Sequence, residues 1–244
     1  MHPRPLRYGS LLAGLALLPA ACIHRPPTAA NASEQANSLT ISQQSAGWRL
    51  LFDGTSTAGW RGYKSATVPA AWHVEGGTLA KSTGTDDLVT TDKYGNFELE
   101  LDWRLAPGGN AGVFYRGTEE YDHIYWSAPE YQLLDDQGHP DGKDRLTAAA
   151  SDYALYASPA GFLHAPGEWN HTRIVVSGKH VEHWLNGHQM VVYELGSDDW
   201  NDRVSKSKFK DYPHYGKAKE GYIGIQGDHD GALALRNIKI KVLP

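Results

Sequence analysis

The chain reads as all-β, an antiparallel sandwich or barrel, and three observations carry that reading. Phe97, Leu99, Leu101 and Trp103 alternate with Glu98, Glu100, Asp102 and Arg104, the period of a strand with one buried face. Short apolar runs rich in β-branched and aromatic residues recur between Gly, Asn and Pro turns, as antiparallel strands do. Nowhere in the folded part do apolar residues hold a sustained helical spacing.

The elements follow in order. Arg4 and Arg7 precede Leu11-Leu-Ala-Gly-Leu-Ala-Leu-Leu18, an apolar run too short to span a bilayer but right for an export signal over residues 1–21. Cys22 is the only cysteine; it follows two small residues, as the lipidated cysteine of a bacterial lipoprotein does, with cleavage after Ala30-Asn-Ala32 as the competing reading. Residues 22–45 carry too little apolar surface to fold and suit a flexible tether, leaving 46–244 as one folded domain.

Within that domain, Trp48-Arg-Leu-Leu-Phe-Asp-Gly54 is a short strand ending in a turn. Trp72-His-Val-Glu-Gly-Gly-Thr-Leu79 is a hairpin around Gly-Gly. Pro107-Gly-Gly-Asn110 breaks the chain before two further strands, Ala111-Gly-Val-Phe-Tyr-Arg116 and Pro129-Glu-Tyr-Gln-Leu-Leu-Asp135. Arg116 shares parity with Phe114, and Glu130 with Gln132, so each strand presents polar groups on one face. Thr172–Val176, Val181–Leu185 and Gln189–Tyr193 form a meander turned at Ser177-Gly178 and Asn186-Gly187. Gly196 to Glu220 is a charged excursion, either a flap over a cleft or a solvated loop. Gly221–Gln226 and Leu233–Val242 close the sheets. In the last strand the apolar phase slips at Arg236-Asn237, from odd Leu233 and Leu235 to even Ile238 and Ile240; this marks a bulge, or else a strand start buried on both faces.

Composition bounds the function. A hydrophobic content of 41% over 244 residues supports one sizeable core without disulfides. A formal charge of -5, with both signs mixed, offers no basic face for nucleic acid, and any membrane contact falls to the lipid anchor. The 8 Trp and 13 Tyr suit the stacking of neutral sugars as well as the filling of a β-core.

A series of short motifs is more specific. Leu51-Phe-Asp-Gly54, Gly112-Val-Phe-Tyr-Arg116, Glu130-Tyr-Gln132, Gly167-Glu-Trp-Asn170 with Arg173, His183-Trp-Leu-Asn-Gly187, Gly224-Ile-Gln226 with Asp228-His229, and Arg236-Asn-Ile-Lys-Ile240 resemble, in number and order, the 3-keto-disaccharide hydrolase family. The resemblance spans nearly everything after residue 46. It implies a concanavalin A-like jelly-roll sandwich acting on small 3-keto-glycosides, exported to the periplasm and paired functionally with a sugar 3-oxidoreductase.

That chemistry needs particular groups. A ketone at C3 acidifies the C2 proton, so a base can form an enolate and expel the C1 substituent while an acid protonates the leaving oxygen; water then adds across the double bond. The candidates are Glu130 and His183 as base and acid in either order, and Arg116 and Arg236 as clamps on the enolate and hydroxyls. Gln132, Asn186, Gln226 and His229 are candidate substrate-positioning groups. Each has a structural alternative: His183 as a satisfied core histidine, Asn186 as a turn residue, Arg236 as an ion-pair partner of Glu100 or Asp102. Glu98, Glu100 and Asp102 fit a solvated strand face. The sequence assigns no cofactor; a divalent metal ion on Asp228, His229 and Asp230 would polarise the ketone, and a charged loop is the better reading of those three. A non-catalytic carbohydrate-binding module on the same sandwich is the second function class, and a conventional glycosidase the third.

Overall fold

The computed structural model describes Met1, His2 and residues 36–244, so the expected signal segment, Cys22 and most of the expected tether lie outside the described residues. The strands are β1 (Trp48–Leu50), β2 (Trp60–Gly62), β3 (His73–Glu75), β4 (Thr78–Lys81), β5 (Leu88–Thr90), β6 (Phe97–Leu105), β7 (Asn110–Gly117), β8 (Glu130–Leu134), β9 (Asn170–Ser177), β10 (His180–Leu185), β11 (His188–Glu194), β12 (Tyr222–Ile225) and β13 (Leu233–Val242). They form two antiparallel sheets. One is eight-stranded in the order β11-β10-β9-β6-β13-β4-β3, with β1 also paired to β13; the other is five-stranded, β2-β5-β12-β7-β8. This is the all-β jelly-roll sandwich that the resemblance implied.

The alternation on β6 sets the layers. Phe97, Leu99, Leu101, Trp103 and Leu105 are buried between the sheets, while Glu98, Glu100 and Asp102 face outward. There Glu98 meets Arg173, Glu100 meets Lys239 at 2.9 Å, and Asp102 meets His171 at 2.8 Å, an ion-paired strand face. The opposite wall of the core comes from Val113, Tyr115, Tyr131, Leu133, Ile223 and Ile225 of the smaller sheet. The hairpin and meander lie where the sequence puts them. Gly76 and Gly77 turn β3 into β4, and Asn186 and Gly187 turn β10 into β11, with positive φ at all four, as the tight hairpin turn requires.

The phase slip in β13 is a bulge. The register with β6 shifts between Arg236 and Lys239, Asn237 takes φ 55, and Leu235, Ile238 and Ile240 all stay fully buried on the core face, which disposes of a doubly buried strand start. Asn237 exchanges backbone-to-amide hydrogen bonds with Asn37, at 2.6 and 2.7 Å. The expected tether is therefore ordered from Asn37 on, and it includes α1 (Ile41–Ser45), capped by Thr40 and Gln43.

The Gly196–Glu220 excursion differs from a plain loop. It contains α2 (Asp198–Lys206), N-capped by Ser197, with Asp198 and Asp199 in the first turn and Arg203 and Lys206 in the last. Only Trp200 of this helix is buried, so an apolar stripe is nearly absent and helical periodicity could not signal it. Phe209 and Tyr215, stacked at 4.0 Å, tie the rest of the excursion into the core.

Candidate active site

Strands β7 and β8 are buried along their whole length because each is covered on both faces. Odd-numbered Val113, Tyr115, Tyr131 and Leu133 pack into the core, and even-numbered Asn110, Gly112, Glu130 and Gln132 look into a cleft on the other face of the smaller sheet. The register pairs Gly112 with Gln132 and Phe114 with Glu130, and Gln226 N donates to Gly112 O at 2.9 Å. Gly112 is what admits the carboxylate. A Cβ there would stand 2.0 Å from Glu130 Oε1, so the acid lies directly across the glycine.

The free edge of β8 is covered by the segment that follows it. Gln132 N donates to Ser151 O at 3.2 Å and Tyr153 N to Glu130 O at 3.0 Å. This brings Tyr153 to the cleft, where its hydroxyl donates to Asp141 at 3.1 Å. Tyr125 and Trp126, in edge contact at 4.7 Å, form an aromatic wall, and Trp126 stacks on Tyr212 of the excursion at 4.0 Å. Lys208 comes from the same excursion; its ammonium stands 4.3 Å from the centre of the Tyr153 ring. The excursion thus contributes to the cleft, as its reading as a flap expected. The cavity enclosed by these groups with Gln226, Asp228 and His229 measures about 240 Å³.

The electrostatics mark Glu130. Burial pushes its carboxyl up to about 8; Lys208 opposes the rise, while Asp87, Asp228 and Asp152 add to it. Burial likewise lowers Lys208 from the usual lysine range, against the pull of Glu130, Asp141 and Asp228. His229 is lowered too, chiefly by burial, so neutral imidazole is favoured despite Asp228. Turned with its amide nitrogen toward Ala111 O at 2.9 Å and Glu130 Oε1 at 3.2 Å, Gln132 gives both oxygens a donor. The Gln226 Oε1 atom is buried at this cavity with no protein partner among the described residues, an acceptor left over for a bound donor.

Four of the eight expected residues, Glu130, Gln132, Gln226 and His229, meet in this cleft; the other four do not. Arg116 shares parity with Glu130's partner Phe114, but the β7–β12 register shifts beside it and its φ is 53. That backbone twist aims the guanidinium away from the cleft, where it donates to Gly95 O at 2.9 Å and Asn96 Oδ1 at 3.2 Å. His183 is fully buried between the sheets, hydrogen-bonded to the Tyr115 hydroxyl at 2.9 Å and Ala150 O at 3.2 Å. Burial lowers it to about 4, so it is a neutral core histidine. Asn186 is the turn residue of β10–β11 and holds His171 N, Phe162 O and the Asn170 amide together. Arg236 lies on the outer face of the larger sheet, paired with Asp102 at 3.3 Å and 4.1 Å from the Trp169 ring centre.

The candidate metal set does not assemble either. Asp230 accepts from Gly84 N at 2.8 Å, Asp228 stands beside the His229 ring at 3.6 Å, and no group of three or more His, Cys, Asp or Glu among the described residues fits a metal ion. The sequence reading missed Asn110, Tyr125, Trp126, Asp141, Tyr153 and Lys208 as cleft groups. Asn110 opens β7, and the other five come from segments between the strands whose order in space no periodicity encodes; of these Lys208 lies in the excursion read as a flap.

Comparison with known proteins identifies relatives of the whole domain. Residues 47–241 match the family model described as a 3-keto-alpha-glucoside-1,2-lyase-like domain. The chain is 35% identical over 239 residues to a 3-keto-disaccharide hydrolase of Bacteroides thetaiotaomicron, covering 85% of this chain and 82% of that protein. A candidate glycosyl hydrolase from Parabacteroides distasonis superposes with TM-score 0.81 at 32% identity, covering 86% of this chain and all of that one. A second from the same organism gives 0.66 at 27%, over 80% of this chain and 99% of the other. The family match over residues 47–241 and the 35% identical relative covered over most of its length make this protein a member of the 3-keto-disaccharide hydrolase family.

Proposed function

We propose that the chain cleaves the glycosidic bond of 3-keto-glycosides in the Glu130 cleft, by abstraction of the C2 proton, elimination at C1 and hydration. The observation that carries this is a buried carboxyl raised to about 8, a short step from the physiological range, beside a cation and the unpartnered amide oxygen of Gln226. Glu130, in its carboxylate form, takes the C2 proton; the electrons pass into a C2–C3 double bond and leave negative charge on the C3 oxygen. Lys208 is the cation suited to that oxygen. The enolate then expels the C1 oxygen, which takes up a proton. His229 is the second proton-transfer group within the cavity. Water adds to C1 and a proton returns to C2, so the net change is hydrolysis. Gln132, Gln226 and Asn110 bind hydroxyls, and Tyr125 and Trp126 form the aromatic wall against which a sugar ring lies.

This reading rests on no pair of carboxylates across the anomeric carbon, and none is needed. It implies a partner oxidoreductase that supplies the 3-keto sugar. Export as a Cys22-anchored lipoprotein is part of the same proposal; a Cys22→Ser protein that still sediments with membranes would defeat the anchor. The purified chain is expected to release aglycone from a 3-keto-glucoside and not from the unoxidised glucoside. Inactivity across a panel of 3-keto-glycosides, or equal cleavage of plain glucosides, would overturn it.

A further inference from the structure

A second cavity, about 880 Å³, lies away from Glu130, between the end of β7 and the excursion that carries α2. Its innermost charge is Arg116, which is 6% exposed. The guanidinium donates only to neutral acceptors, Gly95 O and Asn96 Oδ1. Among the described residues no carboxylate lies within 4.0 Å of it, and Nη1 makes no hydrogen bond. A buried cation without a counter-ion is costly, and here it is also held in a left-handed backbone conformation that a non-glycine residue rarely adopts. Four exposed lysines, Lys179, Lys210, Lys217 and Lys219, stand around the opening against a single acid, Glu220. In a chain of net charge -5 this is a local reversal of sign. The walls between floor and mouth are apolar and aromatic, from Leu195, Trp200, Val204, Tyr212 and Tyr215.

We propose that this cavity binds a small organic monocarboxylate with a flat apolar body, the carboxylate taken by the free edge of Arg116 and the body lying along the aromatic wall. The planar guanidinium with one edge unused matches a carboxylate in two-point contact. One buried positive charge is neutralised by one negative charge, whereas a phosphate dianion would leave a buried surplus. The rim lysines raise the local anion concentration without entering the buried contact. An aryl acid has this chemistry; a hexuronate, whose ring is puckered and hydroxylated, does not. The site stands apart from the proton chemistry at Glu130 and does not depend on it.

Calorimetric titration of the full chain with benzoate, methyl glucuronide, benzamide and inorganic phosphate tests the assignment. Saturable 1:1 binding of benzoate, with the glucuronide, benzamide and phosphate at least tenfold weaker, supports it. Arg116→Lys, which keeps the charge and loses the two-point contact, is expected to weaken that binding at least tenfold. The double variant Lys217→Gln/Lys219→Gln alters only exposed side chains and so keeps the test alive if Arg116→Lys fails to fold; it is expected to weaken binding severalfold at low salt and little at high salt. No binding of benzoate, equal binding of the glucuronide, benzamide or phosphate, or binding indifferent to both variants would overturn the proposal.

Discussion

Replacing Glu130 by glutamine keeps the size and burial of the side chain and removes its proton. In turnover, loss of a positioned acid–base group lowers kcat by about 10²- to 10⁴-fold while KM changes little. In stability the sign is opposite. The folded carboxyl sits at about 8 against an ordinary 4.5, so the folded state binds more protons than the unfolded one between those values. Stability contributed by the protonated acid is therefore full below 4.5 and falls as pH rises toward 8. With that value, ionisation costs the wild-type fold about 1 kcal/mol at pH 5 and about 5 kcal/mol at pH 9, while Glu130→Gln has nothing to ionise. The variant should thus be inactive yet increasingly more stable than wild type as pH rises. Aglycone release from a 3-keto-glucoside gives the first readout, and urea midpoints at pH 5 and 9 give the second. Full activity in the variant, or a stability difference independent of pH, would refute the assignment of Glu130 as a buried proton-transfer group.

Lys208→Met removes the charge that holds Glu130 down, so the acid limb of the pH–rate profile, where the Glu130 carboxylate forms, should move to higher pH, with kcat reduced; an unmoved limb would detach Lys208 from the site. Tyr212→Ala breaks the 4.0 Å stack on Trp126 that seats the excursion, and should shift the same limb in the same direction by a smaller amount. Gly112→Ala puts a Cβ 2.0 Å from Glu130 Oε1, and should cost at least about 100-fold in kcat/KM and about 1–3 kcal/mol of stability, read by kinetics and thermal melting. His183 is depressed to about 4 from 6.5, so its neutral form stabilises the fold above 6.5 and that contribution, about 3 kcal/mol, is lost as pH falls toward 4. His183→Gln should flatten the acid limb of the stability profile and leave kcat within about tenfold; a loss comparable to that of Glu130→Gln would return His183 to the catalytic set.

Much of the sandwich was legible because its strands announce themselves locally. Alternation on β6, the Gly76-Gly77 and Asn186-Gly187 turns and the phase slip at Arg236-Asn237 each depend on neighbours in sequence. β2 and β5, three residues each, are too short to alternate visibly, and α2 presents one buried residue where a stripe would be needed. Parity placed Glu130 and Gln132 on one face correctly, since β8 is regular. It failed for Arg116 because a single positive φ breaks the alternation it relies on. The motifs around His183, Asn186 and Arg236 mark a core hydrogen bond, a turn and an outer ion pair; a motif cannot tell which face of which sheet its side chain occupies.

A perturbed proton affinity would not by itself have singled out Glu130. Burial raises Asp152, which has no exposure and neither oxygen paired, well above the ordinary carboxylate range, and Tyr115, Tyr193 and Tyr215 around it are raised as well. Asp152, Tyr115 and Tyr193 lie on the core side of the smaller sheet, sealed beside His183, where no substrate atom can reach. Glu130 lies on the cleft side of the same sheet, equally desolvated at its carboxyl but open to a cavity and within the field of one cation. Access and a compensating charge, added to burial, separate a group that can exchange a proton with a ligand from one that must stay neutral for the fold to exist. The sheet keeps the two apart by the alternation of its strands, and Asp152 still acts across it, since any charge there raises Glu130 further.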